Sequence, residues 1–296
     1  MPEDAKNSVV IRGALFGIGA ACCWSFGFVA ARHGVAIGFQ PADLALHRFV
    51  WAGLALLPFV LRDSFADLGG VGWSRGLIML LLAGPAQALL AYTGFTLVPL
   101  GHGAVIQPSC ATLGGLLLAT LVLREPMHVR RMMGAATIVA GLLLLGTEAL
   151  STLGSSGLAG DLSFAAAGIL WAMFGTALRL WRVSAVQAVK IICSLSVLIY
   201  VPIHAAVFGF SNLIAMGFWA NVVQFIFQGV FAGALAILLF TQAVVLLGAG
   251  RAATFTALVP ALTIGAGFIA LGEAPTLVQL IGLAVVGLGF RFILKP

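Results

Sequence analysis

The sequence predicts an all-α membrane protein with ten transmembrane helices, built as two inverted five-helix repeats. Three observations predict this class of fold: an apolar composition, apolar runs of membrane-spanning length, and a second half that repeats the first. Of the 296 residues, 61% are hydrophobic and only 8% are charged, and the mean hydropathy is +1.14. A chain of this composition partitions into lipid rather than water, which excludes a soluble enzyme.

Apolar runs between charged or turn-rich breaks give the individual helices. A helix that crosses a bilayer needs about 20 mostly apolar residues, so ten of them with short loops fit this chain length. The 37 glycines suit such a bundle, because small residues let membrane helices pack closely. The predicted spans are 13–31, 42–61, 76–97, 103–123, 132–150, 160–179, 186–207, 218–245, 252–271 and 276–293.

The distribution of basic residues predicts the orientation of these spans. Of the 15 Lys and Arg residues, only Arg32 and Arg48 fall on the side of the predicted membrane opposite the N-terminus. Cytoplasmic loops carry such an excess of basic residues, so both termini are predicted to be cytoplasmic, with the chain in a bacterial inner membrane. The same distribution explains the net charge of +6, and no nucleic-acid partner is expected.

The second half of the chain repeats the first. Residues 13–24 align with 160–171 at an offset of 147, which pairs Trp24 with Trp171. After one inserted residue the register continues at 148 and pairs Gly134 with Gly282 and Glu125 with Glu273. Because each repeat holds five spans, an odd number, the second must enter the membrane in the opposite orientation. Inverted repeats are typical of secondary transporters, whose substrate site lies near the midplane between the halves.

The domain organisation follows from this repeat. We expect a cytoplasmic tail at 1–12, a first repeat at 13–150 and a second repeat at 158–296.

Several short motifs carry a resemblance to a known family. They are Trp24-Ser-Phe-Gly-Phe-Val-Ala-Ala-Arg32, Leu46-His-Arg-Phe49, Arg124-Glu-Pro126 and Gly272-Glu-Ala-Pro275. In this order, and with glycine-spaced helices after each Glu junction, they resemble the drug/metabolite transporter superfamily and its EamA-type ten-helix exporters. The chain is most similar to aromatic amino acid exporters of the YddG type. The resemblance implies an inverted-repeat carrier that moves small metabolites, commonly amino acids, out of bacteria.

The acidic residues lie in tails, loops or at the ends of spans. Glu125 and Glu273 each precede a proline or an Ala-Pro pair at the start of a predicted helix, where a carboxylate caps the helix dipole, and a role in gating is the alternative. No carboxylate is predicted at the midplane. Proton coupling would then use His47 or His204, and the other possibility is that substrate simply runs down its gradient.

Polar amides in the spans are candidates for the substrate path. At 100° per residue, the four amides of the eighth span fall on one narrow face, where they either line a hydrated path or hydrogen-bond neighbouring helices. Gln87 follows Pro85, so it is either a site residue near Tyr92 or the partner of a structural kink. Weaker candidates of the same type are Gln107 in the fourth span and Thr254 with Thr256 in the ninth. The eighth-span amides are Asn221, Gln224, Gln228 and Gln242.

The remaining site candidates are aromatic or cationic. Trp24 and Trp171 lie in mid-span, where an indole either stacks on an aromatic or apolar substrate or packs between helices. Arg48 lies one to two turns inside the second span, deep enough to need a partner, which is Asp43, Glu148, a helix C-terminus or a substrate carboxylate. His47, its neighbour, is either a site residue or a packed imidazole.

Other functional classes find no support in the motifs. The chain has neither the His-Glu-x-x-His zinc motif, nor the Gly-x-Ser-x-Gly nucleophile motif, nor an ATP-binding loop. A membrane enzyme without known motifs, a channel and a multidrug or other metabolite efflux carrier stay open as alternatives. The expected partners are a small-molecule substrate and the lipid bilayer. We expect no cofactor and no metal, and a protein that functions as a monomer.

Overall fold

The computed structural model describes residues 3–62, 65–98, 100–125, 129–145, 147, 157–271 and 276–294. Within these residues, all regular secondary structure is helical.

The described residues of the first half form six α-helices, two of which make one broken rod. Gly84 and Pro85 interrupt this rod, because Gly84 has extended backbone angles and proline cannot continue the hydrogen-bond ladder. The sequence predicts a kink at Pro85, and the end of one helix at Ala83 with the start of the next at Pro85 confirms it. The helices are α1 (Glu3–Ile37), α2 (Pro41–Arg62), α3 (Trp73–Ala83), α4 (Pro85–Leu97), α5 (Leu100–Leu121) and α6 (Val129–Leu145).

The second half is also helical but contains wide turns. A π-helical segment at Phe225–Leu235 joins two α-helices into one long rod, and a second, shorter one lies at Ser196–Tyr200. The helices are α7 (Leu158–Trp181), α8 (Ala185–Leu195), α9 (Val201–Val207), α10 (Ser211–Ala215), α11 (Phe218–Gln224), α12 (Ala236–Leu247), α13 (Ala249–Thr254), α14 (Leu258–Leu271) and α15 (Leu277–Leu294).

Local sequence explains where several helices begin. Pro41 is the first residue of α2, and the backbone N–H of Gln40 donates to the Asp43 carboxylate at 3.1 Å. At α8, Ser184 and Gln187 form a capping box in which each side chain accepts from the other's backbone N–H. These caps satisfy backbone donors that a helix end would otherwise leave unpaired.

Among the described residues, six continuous helical runs are long and apolar enough to cross a membrane. Many of their large apolar side chains are exposed on the outside of the bundle, Leu15 at 63% and Leu162 at 59% among them, as lipid contact requires. The chain is therefore a multi-pass membrane protein. The six runs are Ser8–Ile37, Pro41–Arg62, Trp73–Leu97, Leu158–Trp181, Ala185–Val207 and Phe218–Leu247, and shorter apolar helices lie at Val105–Leu121, Met132–Leu145 and Leu277–Ile293.

Helices α6 and α15, equivalent in the two repeats, pack against each other through paired glycines. Gly134 approaches Gly289, and Gly141 approaches Gly282. A Cβ atom at any of these glycines would meet the partner helix, so only glycine allows this approach. Since Gly282 and Gly289 are the repeat equivalents of Gly134 and Gly141, the contact is reciprocal, as it is across a two-fold axis.

Candidate functional site

A small cavity lies at the centre of the bundle, between the two repeats. Its volume is about 40 Å³, which holds roughly three water molecules. Both repeats line it, with α1, α2, α4 and α5 from the first and α7, the π-helical segment and α14 from the second. These predicted site residues lie on its wall: Trp24, Arg48, Gln87, Tyr92, Gln107, Trp171 and Thr256.

The two repeat-equivalent tryptophans touch each other in this cavity. The ring centroids of Trp24 and Trp171 are 5.0 Å apart in an edge-to-face arrangement, and Phe240 packs against both rings. A residue that contacts its own repeat equivalent lies on the axis relating the repeats, so the cavity is at the centre of that symmetry. Neither indole Nε1–H has a hydrogen-bond partner in the described part of the chain, which leaves two donors available to a ligand.

Arg48 supplies the cation of the cavity wall. It is 8% exposed, and its Nη1 donates to the Tyr92 hydroxyl at 3.3 Å. Among the described residues its guanidinium has no acidic partner, and its Nε has no hydrogen-bond partner. Asp43, one of the partners expected for Arg48, accepts hydrogen bonds from Asn212 and Gln40 and does not pair with Arg48. Glu148, another expected partner, lies outside the described residues. A buried guanidinium in this state has the charge and an available donor with which an anionic group can pair.

Two amides add acceptors to the cavity. The break at Gly84 and Pro85 places Gln87 in the first turn of α4, where its Nε2 donates to the Ala167 carbonyl at 3.3 Å. Gln107 stands one residue before Pro108 in α5. The Oε1 atoms of both residues are buried and have no donor within the described ranges, so they can accept from a ligand ammonium group.

Gln228 lies directly behind the cavity wall and links the repeats. Its Oε1 accepts from the Tyr92 hydroxyl at 2.6 Å, and its Nε2 donates to the Gly27 carbonyl at 2.6 Å. The amide is fully buried. Tyr92 therefore stands between Arg48, from which it accepts, and Gln228, to which it donates.

Four predicted site residues lie away from the cavity. Gln224 donates to the Ala30 carbonyl at 2.9 Å, and Thr254 donates to the Arg251 carbonyl at 2.7 Å. His47 donates to Asn221 at 2.9 Å and lines a separate lipid-facing groove. Gln242 is half-buried in α12 and does not line the cavity. Thr256, two residues beyond Thr254, lines the cavity instead.

The expected single stripe of eighth-span amides is not present. That expectation assumed 100° per residue throughout, but the π-helical segment Phe225–Leu235 lies between Gln224 and Gln242. Wider turns rotate each residue by less than 100°, so the face of Gln242 drifts away from that of Gln224.

The two acidic candidates have different outcomes. The Glu125 carboxylate lies beside Gly248 and Gly250, at the start of α13 in the second repeat, and its backbone N–H donates to the Ala119 carbonyl at 3.0 Å. Glu125 thus joins the repeats at the end of the bundle opposite Asp43. Glu273 lies outside the described residues.

Sequence reasoning missed two aromatic residues of the cavity, Phe28 and Phe95. Their rings meet edge to face at 5.4 Å on the cavity wall. Phe28 lies four residues after Trp24, and Phe95 lies eight residues after Gln87. Helical spacing from these predicted site residues was therefore a signal that could have identified both phenylalanines.

A buried ion pair outside the cavity was also missed. His102 Nδ1 donates to the Asp161 carboxylate at 2.7 Å between α5 and α7. Both residues stand near helix starts, where nothing in the local sequence indicates that they meet.

These features define a class of protein: a membrane-embedded helical bundle with a polar and aromatic cavity on the axis between two repeats, as in small-molecule carriers. A sequence family described as "EamA-like transporter family" matches residues 11–147 and again residues 158–295. The chain therefore belongs to the EamA-like transporter family of the drug/metabolite transporter superfamily. This confirms the predicted family and the tandem repeat.

Other comparisons add the fold alone. A solved structure titled "Crystal structure of protein" is similar with a TM-score of 0.72 at 17% sequence identity, over 95% of this chain and 96% of that chain. A comparison with curated proteins gave no match.

Proposed function

We propose that this protein is a secondary transporter that exports small aromatic or other apolar amino acids from the bacterial cytoplasm. The observation that carries the proposal is the cavity on the two-fold axis, where two tryptophans and an arginine without an acidic partner among the described residues share one wall. Family membership supports the transporter class. The substrate is proposed from the chemistry of the cavity wall.

The wall complements a zwitterion with an apolar side chain. Arg48 supplies a cation for the α-carboxylate, and the unpartnered Oε1 atoms of Gln87 and Gln107 supply acceptors for the α-ammonium. Trp24 and Trp171 supply aromatic faces for the side chain. A cation such as Arg48 repels the cationic drugs that a multidrug carrier would take, which favours an amino acid substrate.

The proposed mechanism is alternating access around the axis that relates the repeats. A cavity of about 40 Å³ is too small for an amino acid, so loading and release each require the halves to separate on one side. The cavity wall contains no carboxylate among the described residues. We therefore propose that substrate moves down its own gradient, without a coupled proton.

The proposed arrangement in the membrane extends the six clear spans to ten. Four further helical runs, within 100–121, 129–145, 249–271 and 277–294, would supply the other crossings, each in a bilayer of ordinary or slightly thinned width. With 13 of the 15 basic residues on the side of the N-terminus, both termini are proposed to face the cytoplasm of an inner-membrane protein. One chain contains the whole cavity, so a monomer is proposed to be sufficient.

The experiment is transport into and out of proteoliposomes that contain only this protein. Labelled phenylalanine and tryptophan are expected to equilibrate without an imposed pH gradient. Replacing Trp24 or Trp171 by alanine is expected to lower that rate at least tenfold through lost side-chain contact. Trp219→Ala is the matched control, because Trp219 is 76% exposed and distant from the cavity, and its rate should equal that of the wild type.

Three results would contradict the proposal. Movement of lipophilic cations without amino acids would replace the substrate class by a multidrug one. Strict dependence on a pH gradient would contradict uncoupled transport. Equal rates for the cavity variants and Trp219→Ala would place the substrate path elsewhere.

A further inference from the structure

A chain of hydrogen bonds crosses the bundle beside the cavity. Arg48 donates to Tyr92 at 3.3 Å, Tyr92 donates to Gln228 at 2.6 Å, and Gln228 donates to the Gly27 carbonyl at 2.6 Å. The chain joins α2, α4 and α1 of the first repeat to the π-helical segment of the second. It is one of several polar links between the repeats at the level of the cavity, together with the bonds from Gln87 to the Ala167 carbonyl and from Ser25 to the Val259 carbonyl.

This chain lies on one side of the tryptophan pair. Arg48 is about 10 Å from the start of α2 and Tyr92 about 8 Å from the end of α4, whereas Trp24 is about 20 Å from the end of α1, at 1.5 Å per residue. These three helix ends lie on the same side of the bundle, which is the external side in the proposed orientation. Arg48 and Tyr92 therefore lie between the tryptophan pair and the external end of the bundle.

The Tyr92 hydroxyl can donate to Gln228 or to a bound carboxylate, but not to both. It has a single proton, which now goes to Gln228. A carboxylate bound to Arg48 would occupy the space beside that hydroxyl and would be a stronger, charged acceptor for the same proton. When the hydroxyl turns to the carboxylate, the Gln228 Oε1 loses its donor from α4, and the bond from Gln228 Nε2 to the Gly27 carbonyl of α1 is left as its remaining link to the first repeat.

The segment that holds Gln228 is suited to move after that loss. It is π-helical, with ladder geometry poorer than that of an α-helix, and such turns often mark functional sites. Gly229 and Gly233 bring it directly against the backbone carbonyls of His47 and Arg48. A shift of Arg48 on binding a ligand is thus transmitted to the same segment by backbone contact.

We infer that the carboxylate of the substrate opens an external gate, by which we mean the link between Tyr92 and Gln228. The carboxylate binds Arg48 and accepts the hydrogen bond that the Tyr92 hydroxyl otherwise donates to Gln228. The inference rests on the proposed function and deepens it, because it makes the carboxylate a condition for translocation rather than for binding. Substrates are then carboxylates with an apolar body. An amine of the same shape binds the tryptophan faces but leaves the Tyr92–Gln228 link closed.

The test compares phenylalanine with phenethylamine, which has the same ring and ammonium but no carboxylate. Proteoliposomes contain the wild type, Arg48→Gln or Tyr92→Phe, and binding is followed by the intrinsic fluorescence of the tryptophans. In the wild type both compounds are expected to bind, and phenethylamine to be transported at least tenfold more slowly. Arg48→Gln should lose phenylalanine transport, and it should bind phenethylamine more tightly than the wild type because the repelling cation is gone, yet still transport it slowly. Tyr92→Phe should transport phenethylamine at least threefold faster, with a higher KM for phenylalanine because the substrate carboxylate loses the hydroxyl donor.

Tyr200→Phe is the matched control. Tyr200 is the other tyrosine of the chain, it is buried, and its hydroxyl donates to the Ala42 carbonyl at 3.0 Å away from the cavity. Its loss should leave the ratio of phenylalanine to phenethylamine rates unchanged.

A second readout does not depend on transport. A cysteine at Ala111, on the cavity wall, is labelled from outside by an aqueous thiol reagent in a chain whose four native cysteines are replaced by alanine. Phenylalanine should accelerate labelling at least threefold with Arg48 present but not in Arg48→Gln, and Tyr92→Phe should be labelled rapidly without ligand. If labelling responds in this way while the wild type transports no amino acid, the proposed function is wrong and the gate stands. If transport occurs but the variants keep wild-type discrimination and labelling, the gate is wrong.

Discussion

Buried polar side chains in this bundle fall into two groups, according to whether they line the cavity. Gln224 lies outside the cavity wall and joins two helices by donating to the Ala30 carbonyl, while Thr254 donates to the Arg251 carbonyl of its own helix. On the cavity wall, Arg48, Gln87 and Gln107 each keep a polar atom without a partner in the described residues, as the Oε1 of Gln224 also does away from it. Such atoms are costly in a membrane interior, and those on the cavity wall are the ones that a ligand in the cavity can reach.

The sequence could predict part of this division. The tryptophan pair could be predicted because the repeat makes Trp24 and Trp171 equivalent. Arg48 could be predicted because a guanidinium inside a membrane span needs a partner. The division between amides on the cavity wall and amides away from it could not be predicted. It depends on which carbonyl of a distant helix lies within 3 Å, as the Ala30 carbonyl does for Gln224, and local sequence does not encode that distance.

The buried pair of His102 and Asp161 gives a prediction about stability. His102→Ala leaves the Asp161 carboxylate without its histidine partner, and the free energy of unfolding should fall by about 3–5 kcal/mol, as is usual when one member of a buried pair is removed. The measurement is unfolding of the purified protein in detergent, followed by loss of helical circular dichroism.

A double variant, His102→Leu with Asp161→Leu, is the control for this prediction. Replacing both members by apolar side chains removes the desolvated charge together with its partner, so the double variant should be more stable than His102→Ala. If both variants lose the same free energy of unfolding, the packing of the two side chains, and not the bond between them, determines how much this site stabilises the protein.

Among the helices, length was predictable and interior geometry was not. The apolar runs predicted at 42–61 and 218–245 correspond to Pro41–Arg62 and Phe218–Leu247, because membrane thickness sets both hydropathy and length. The π-helical segment Phe225–Leu235 has no hydropathy signature. Its nearest sequence signal is the pair Gly229 and Gly233, which indicates close helix contact but not a wide turn.

Those glycines give the second prediction about stability. In Gly233→Ala the new methyl group would meet the Arg48 backbone carbonyl, which cannot move aside without distorting α2. Overpacking of this kind costs about 1–3 kcal/mol, and transport should fall as well because Arg48 moves. Unfolding in detergent and phenylalanine flux are the two measurements.

Gly287→Ala is the matched control, because a Cβ atom at Gly287 in α15 would meet nothing within 4 Å. Alanine is the better helix former by about 1 kcal/mol, so this variant should be as stable as the wild type or more stable. If Gly233→Ala behaves in the same way, the close contact with α2 contributes nothing.

For the whole molecule, the arrangement in the membrane can be tested directly. Single cysteines placed at Asp67 and Gly209 should react with a membrane-impermeant thiol reagent from opposite sides, Asp67 from the cytoplasm and Gly209 from outside, since an odd number of proposed crossings separates them. Asp67 ends a single 3-10 turn, Phe65–Asp67, between α2 and α3, and Gly209 lies between α9 and α10. Reaction of both from one side would overturn the ten-crossing arrangement and the positive-inside orientation.

The reciprocal packing of α6 against α15 has a consequence for the origin of the chain. Gly134 meets Gly289 while Gly141 meets Gly282, so one surface patch binds its own copy, which is the pattern of an isologous interface in a homodimer. A half-length protein that inserted in both orientations could have formed this interface between two separate copies. Gene fusion would then have made the dimer permanent within one polypeptide. After fusion the two halves were free to diverge. Arg48 and Tyr92 are present in the first half alone, since the equivalent positions of the second half are Leu195 and Leu239.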